Sequence, residues 1–354
     1  TPPLTADYCL GTISDDGSRL YVDGKLVSNN WGTHGMFQTV GRVALEAGRS
    51  YDIRIDYYEG GGGSGVKLVW QDPATAHPAP ALAEAVEAAS KADVVIMCVG
   101  NTADFEGEAK DVAGFDMPLG QEALIEAVAA VNKHVAVVIY GGTAQKVTGW
   151  VDDVSALLDA YYPGQEGGDA LARILFGEVN PSGKLPFSFI QDASQSPATG
   201  HYMDSDLRVP YDEGVFVGYK WYETHGVTPL FPFGYGLSYT TYAYSNLKVT
   251  KTGEWTASVS IDVTNTGERA GAEVVQLYVG QDHPSEPRPM RELRGFGKVF
   301  LTPGQTQTVT IPLDYRSFRY WDEAANAWRA DSDTFTICVG ASSEDIRAKG
   351  TLSF

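Results

Sequence analysis

The spacing of apolar residues changes period twice along this chain of 354 residues, and no other feature limits the fold as much. Residues 1–71 alternate apolar and polar in steps of two, as half-buried strands do. The middle of the chain alternates alanine-rich helical spacing with short apolar runs. From 245 to 354 the two-residue period returns. That order predicts a multidomain chain: an antiparallel β-module, an α/β module and a second β-module.

In the first module SRLYVDGKLV reads as strand, Asp-Gly turn, strand. RVALEAGRSYDIRIDYYE and GVKLVWQ supply further strands of a partial antiparallel β-sandwich over 1–71. So short a sandwich exposes edges and half a core. Residues 72–83 form a proline-rich linker into an α/β sandwich spanning 72–190. Its expected elements are a helix at 81–91, a strand at 94–99, and a helix at 120–131 with Leu124, Ile125 and Val128 on one face. Strands at 134–140 and 156–161, a helix at 167–176 and a last strand at 185–189 follow, so the sheet is mainly parallel. Cys98, inside an apolar strand, reads as a buried thiol. Residues 191–244, rich in Gly, Pro and aromatics, read as an ordered wrap around the α/β module. Over 245–354 turn signals recur roughly every ten residues, the pattern of an immunoglobulin-like sandwich.

A formal net charge of −19 argues against nucleic acid or an anionic membrane as partner. It suits neutral ligands such as sugars, on whose CH faces some of the 7 Trp and 19 Tyr can stack. No apolar run is long enough to span a bilayer. Cys9, Cys98 and Cys338 are far apart and the histidines are scattered, so neither metal nor cofactor is expected. Residues 164–168, GQEGG, lack a phosphate-loop spacing and read as a strand-to-helix turn. Asp15-Asp16-Gly17 reads as a turn before it reads as a calcium site. Ser182 and Ser238 lack the context of a serine nucleophile.

Chemistry concentrates in MCVGNTADFEGEAKDVAGFDMPLGQ, residues 97–121. A strand ends in glycine, a loop carries Asp104, Glu106, Glu108, Lys110 and Asp111, and a helix begins near Gly120. Carboxyls at the carboxyl end of a strand are where an α/β domain places its chemistry, and one of them held protonated beside others ionised suits acid catalysis.

GEAKDVAGFDMPLGQEALI, YYPGQEGGDALARILFGEVNPSGKLPFSF, YDEGVFVGYKWYETHG and FPFGYGLSYT together resemble the C-terminal portion of a glycoside hydrolase family 3 enzyme of the β-glucosidase type. The resemblance covers nearly the whole chain. It implies a fibronectin-III-like domain over 245–354, and for 1–71 the latter part of a protective-antigen-like insert. It implies Glu108 as acid/base, with Glu106 as rival, Asp111 and Lys110 as supporting groups, and Val112 where the family has Arg. Trp31, His34 and Phe37 would line the substrate site or pack in the core. The family's nucleophilic Asp lies on a (β/α)₈ barrel that nothing here resembles. The expected partners are therefore a β-glucoside or oligosaccharide and an N-terminal barrel segment or chain. Glucose is the expected sugar, with xylose and galactose as alternatives. A non-catalytic carbohydrate-binding or scaffolding assembly and an inactive homologue are the rival readings. Acidic composition suggests a secreted or periplasmic protein, and homo-oligomerisation stays open.

Overall fold

The computed structural model describes residues 1–71, 80–102, 105–108, 114–199, 201 and 208–354. They divide into two compact units, Thr1–Thr143 with Gly149–Tyr161 and Ala144–Thr148 with Tyr162–Phe354. No described helix is long and apolar enough to cross a membrane.

The first unit opens with β1 (Ala6–Asp15), β2 (Ser18–Val22), β3 (Lys25–Asn30), β4 (Phe37–Leu45), β5 (Ile53–Tyr57) and β6 (Gly65–Gln71). They form two three-stranded antiparallel sheets, ordered β4-β1-β6 and β3-β2-β5. The Asp-Gly turn expected between β2 and β3 is present. Asp23 and Gly24 take φ of 47° and 74°, the left-handed pair that matches the twist of a tight hairpin. Tyr8, Leu10, Leu20, Val22 and Leu45, drawn from both sheets, share one small core. Coverage runs out at β6. Directly opposed residues share a face, so Leu68 and Trp70 share one with buried Thr12 and Leu10, yet they are 46% and 52% exposed. These two β6 side chains therefore stand about half-exposed on the face that β1 buries.

The same unit continues with α1 (Pro80–Lys91), β7 (Val95–Gly100), α2 (Gln121–Val131), β8 (Val135–Tyr140) and β9 (Ala156–Asp159). Helix α1 starts inside the span expected as linker, because proline fits a helix's first turn. The strands are parallel in the order β7-β8-β9. On central β8, Val135, Val137, Val138 and Ile139 are at most 1% exposed.

Two expectations are corrected here. Cys98 is exposed, not buried. Strand β7 lies at the edge of the described sheet; Met97 and Val99 face inward, while Ile96 and Cys98 face the other way. Residues 185–189 form no strand, only a single bridge from Phe189 to Phe231. Leu185 and Phe189 bond to Tyr235 and Phe231 instead, and Pro186 has no N–H to offer a ladder.

The second unit holds α3 (Gly167–Leu175) and α4 (Tyr219–His225). Ahead of α3, Gly164 has φ of 75°, and a Cβ on Gly167 would lie 2.6 Å from the Pro163 ring. These glycines serve a tight turn into the helix, as GQEGG suggested. Nine strands follow: β10 (Tyr242–Gly253), β11 (Thr256–Asn265), β12 (Gly271–Gln281), β13 (Glu292–Leu301), β14 (Thr306–Leu313), β15 (Tyr320–Asp322), β16 (Ala327–Arg329), β17 (Thr334–Gly340) and β18 (Ile346–Ser353). They build the sheets β10-β11-β14 and β13-β12-β17-β18 and the hairpin β15-β16. Val259, Ile261 and Val263 from one sheet meet Val275, Leu277, Ile337 and Val339 from the other, each at most 2% exposed. The aromatic segment expected to wrap the α/β module is anchored on this β-module. Gln276 Nε2 donates to Gly234 O at 2.9 Å, the Ser343 N–H donates to Phe233 O at 2.9 Å, and Arg291 pairs with Glu223.

Candidate active site at the end of the parallel sheet

The carboxyl ends of β7, β8 and β9 lie side by side, since Val99 pairs with Ile139 and Ile139 with Asp159. Strand β7 ends at Gly100, whose φ is 135° and whose Cβ, if present, would lie 1.9 Å from Tyr140 O. Only glycine allows that approach. Gln121, the first residue of α2, clasps the same glycine. Its Nε2 donates to Gly100 O at 2.9 Å, and its Oε1 accepts the Gly100 N–H at 2.6 Å. Strand end and helix start are thereby fixed, and the acidic loop runs between them.

Glu106 spans two strand ends. Its Oε2 accepts from Asn101 Nδ2 at 2.8 Å and its Oε1 accepts the Gly142 N–H at 2.8 Å. The N–H groups of Phe105 and Glu106 both donate to Thr102 O, at 2.9 and 3.0 Å, closing the turn that delivers this side chain. A carboxyl group with both oxygens engaged by donors is fixed in position. Two residues on, Glu108 sits exposed on a turn. The rival candidates therefore separate: Glu106 is committed to the protein's own donors, and Glu108 is open to a ligand. Asp104, Lys110, Asp111 and Val112 lie outside the described residues.

Asp159, at the end of β9, belongs to this rim and carries no motif. Its only signal is a charge closing the apolar run ALLD. Burial pushes its carboxyl above the usual range, against the Tyr161 N–H at 3.3 Å, which favours the anion. Tyr161 has φ of 50°, and burial with the adjacent carboxyl raises its hydroxyl well above the ordinary range. A raised carboxyl contributes stability below its unfolded pKa of about 3.9 and loses it as pH rises through the folded value. Asp159→Asn is therefore expected to raise the thermal midpoint at pH 7, the gain shrinking to nothing as pH falls below that value. A gain independent of pH would contradict the sign.

The loop carrying Trp31, His34 and Phe37 lies in the β-part of this unit. Trp31 and Phe37 are 45% and 48% exposed, so they are not core. The Arg19 guanidinium covers Trp31 at 4.3 Å, and the Tyr58 ring lies 5.8 Å from it. His34 places its ring nitrogens 2.7 Å from Gly35 O and 3.0 Å from Asn30 O. Asp16 accepts N–H bonds from Gly60 at 2.5 Å and His34 at 2.9 Å, which hold its carboxyl below the usual range. These bonds tie the Asp16 turn to two loops distant in sequence. Among the described residues, no hydrogen bond or ring contact joins this loop to Glu106 or Glu108, and no cluster of His, Cys, Asp or Glu is placed to hold a metal.

Residues 27–239 match the model of the glycosyl hydrolase family 3 C-terminal domain, and residues 273–343 that of a fibronectin type III-like domain. The chain is 45% identical over 269 residues to thermostable beta-glucosidase B of Acetivibrio thermocellus, covering 75% of this chain and 36% of that protein. It is 45% identical over 275 residues to an exo-alpha-(1->6)-L-arabinopyranosidase of Bifidobacterium breve, covering 77% of this chain and 36% of that one. The crystal structure of DesR, a beta-glucosidase from Streptomyces venezuelae in complex with D-glucose, aligns with all of this chain at a TM-score of 0.80 and 32% identity. That alignment takes in 45% of the DesR chain. The present chain thus spans less than half the length of each relative.

Proposed function

The chain belongs to glycoside hydrolase family 3, and on that premise we propose that it is the acid/base-bearing part of a retaining, exo-acting β-glycosidase that releases terminal β-D-glucosyl residues. One observation carries the reading: at the end of the parallel sheet Glu106 is bound on both oxygens while Glu108 stands exposed beside it.

Retention needs two carboxyls about 5–5.5 Å apart, one attacking the anomeric carbon and one protonating the departing oxygen. Glu108 is the proton donor. It then removes a proton from the water that breaks the glycosyl-enzyme. The nucleophilic Asp comes from a (β/α)₈ barrel beyond this chain. The half-exposed rings of Trp31 and Phe37 offer CH-stacking faces to the leaving group. Export to the periplasm or medium belongs to the same proposal and rests on acidic composition.

A second sugar has a specific observation behind it. An α-L-arabinopyranoside has the ring stereochemistry of a β-D-galactoside, and an arabinopyranosidase is 45% identical to this chain. Galactosides and arabinopyranosides therefore belong in the substrate panel. The test is assembly: the chain alone should not hydrolyse an aryl glucoside, and the chain joined to or mixed with a barrel-bearing partner should. Silence in the assembled form would favour the scaffolding role.

A further inference from the structure

We propose that Glu106 is a positioning residue that ties the end of β7 to the end of β8, holds in place the loop on which Glu108 is presented, and exchanges no proton during the reaction. The inference rests on the assignment of Glu108 made above.

Geometry separates this role from that of an acid. Both Glu106 oxygens are met by N–H donors, one from the side chain of Asn101 just past β7 and one from the backbone of Gly142 just past β8. An ionised carboxylate only accepts, so Asn101 must turn its NH₂ group toward it. Protonating Glu106 would weaken both bonds, since each is assisted by the carboxylate's charge. An acid/base group cycles its proton every turnover, and this carboxyl would loosen a strand-to-strand tie each time it did so. The tie also joins segments 36 residues apart in sequence. The turn at Thr102, the clasp of Gln121 on Gly100 and the Glu106 tie together fix Gly100, Thr102 and Glu106 relative to the start of α2 and the end of β8.

Swapping donor and acceptor tests the idea. Glu106→Gln turns an NH₂ toward one of the two donors and loses that bond. Asn101→Asp sets two carboxylates face to face. In the double variant the new amide oxygen accepts from Gly142 and the new amide nitrogen donates to the new carboxylate, so both bonds return. In the assembled enzyme each single variant is expected to lower kcat/KM by about 10–100-fold, the scale of a misplaced catalytic group. The loss should be larger for alkyl than for aryl glucosides, because it acts through the proton that Glu108 delivers. The double variant should recover most of it. A double variant as inactive as Glu106→Gln would overturn the proposal, since that outcome marks Glu106 as the group that moves the proton.

The chain by itself supplies a second reading. Amide hydrogen exchange at Gly142 should quicken by about an order of magnitude in Glu106→Ala, as expected for the loss of one protecting bond. Unchanged exchange would remove the tie. Failure of the Glu108 assignment would show instead in the leaving-group dependence of Glu108→Gln.

Discussion

Glu108→Gln in the assembled enzyme is expected to slow alkyl glucoside hydrolysis by about 10²–10⁴-fold, the usual contribution of a positioned general acid. An alkoxide is too basic to leave without a proton, so the whole of that contribution is lost. A nitrophenolate leaves unaided, and the first step with an aryl glucoside should slow far less. The second step still needs a base for water. With a good leaving group the glycosyl-enzyme should therefore accumulate, seen as a burst of phenolate followed by a slow steady state. Azide needs no deprotonation before it attacks, so it should restore turnover of Glu108→Ala and give a glycosyl azide with retained configuration. The exposed side chain at this position suits the experiment, because removing it leaves none of the described hydrogen bonds broken. If Glu108→Gln hydrolyses alkyl glucosides normally while Glu106→Gln does not, the two glutamates have been assigned the wrong way round.

Much of the scaffold around that residue is legible in local pattern. The turn at Asp23-Gly24, the helix Gln121–Val131 and the buried strand Val135–Tyr140 follow from short-range chemistry: positive φ, a 3.6-residue face and an apolar run. What escapes is set by partners distant in sequence. LPFSF has strand composition, yet Leu185 and Phe189 bond to Tyr235 and Phe231, a choice that no local signal announces. Cys98 sits in a strand as its neighbours require, but periodicity cannot say whether both faces of that strand are covered. The site shows the same division. Two glutamates two residues apart look equivalent on a loop, and only Asn101 and Gly142 distinguish them. Gln121 is visible within a motif, while its grip on Gly100 belongs to the folded chain.

Arg291→Met is expected to destabilise the second unit by about 3–5 kcal/mol, the cost of breaking a buried pair on one side. The Arg291 guanidinium meets Glu223 with two bonds, Nε to Oε2 at 3.0 Å and Nη2 to Oε1 at 3.1 Å. Side-chain exposures are 15% for Arg291 and 4% for Glu223. Around them the Leu293 N–H donates to Tyr219 Oη at 2.8 Å, and the Tyr219 ring stacks on Phe233 at 4.6 Å. Burial pushes the Tyr219 hydroxyl up to about 12. Helix α4 is thus docked beside the start of β13 by this buried ion pair set among aromatic rings, with a longer Lys220–Glu292 pair at 3.9 Å. Burial pushes the Glu223 carboxyl up and Arg291 pulls it back only in part, so removing the arginine raises it further. A raised carboxyl loses its stabilising contribution as pH climbs. The deficit of Arg291→Met should therefore be largest at neutral pH and shrink toward pH 4, where the carboxyl is protonated in the unfolded chain as well. Replacing both partners together, Arg291→Met with Glu223→Leu, should recover most of the loss, since an apolar pair leaves no charge stranded. Urea midpoints of the wild type, the single variant and the double variant at two pH values decide it. A single variant with a deficit under about 1 kcal/mol would place this pair with ordinary surface bridges, and α4 would then be held by its rings, the Leu293–Tyr219 bond and the Lys220–Glu292 pair.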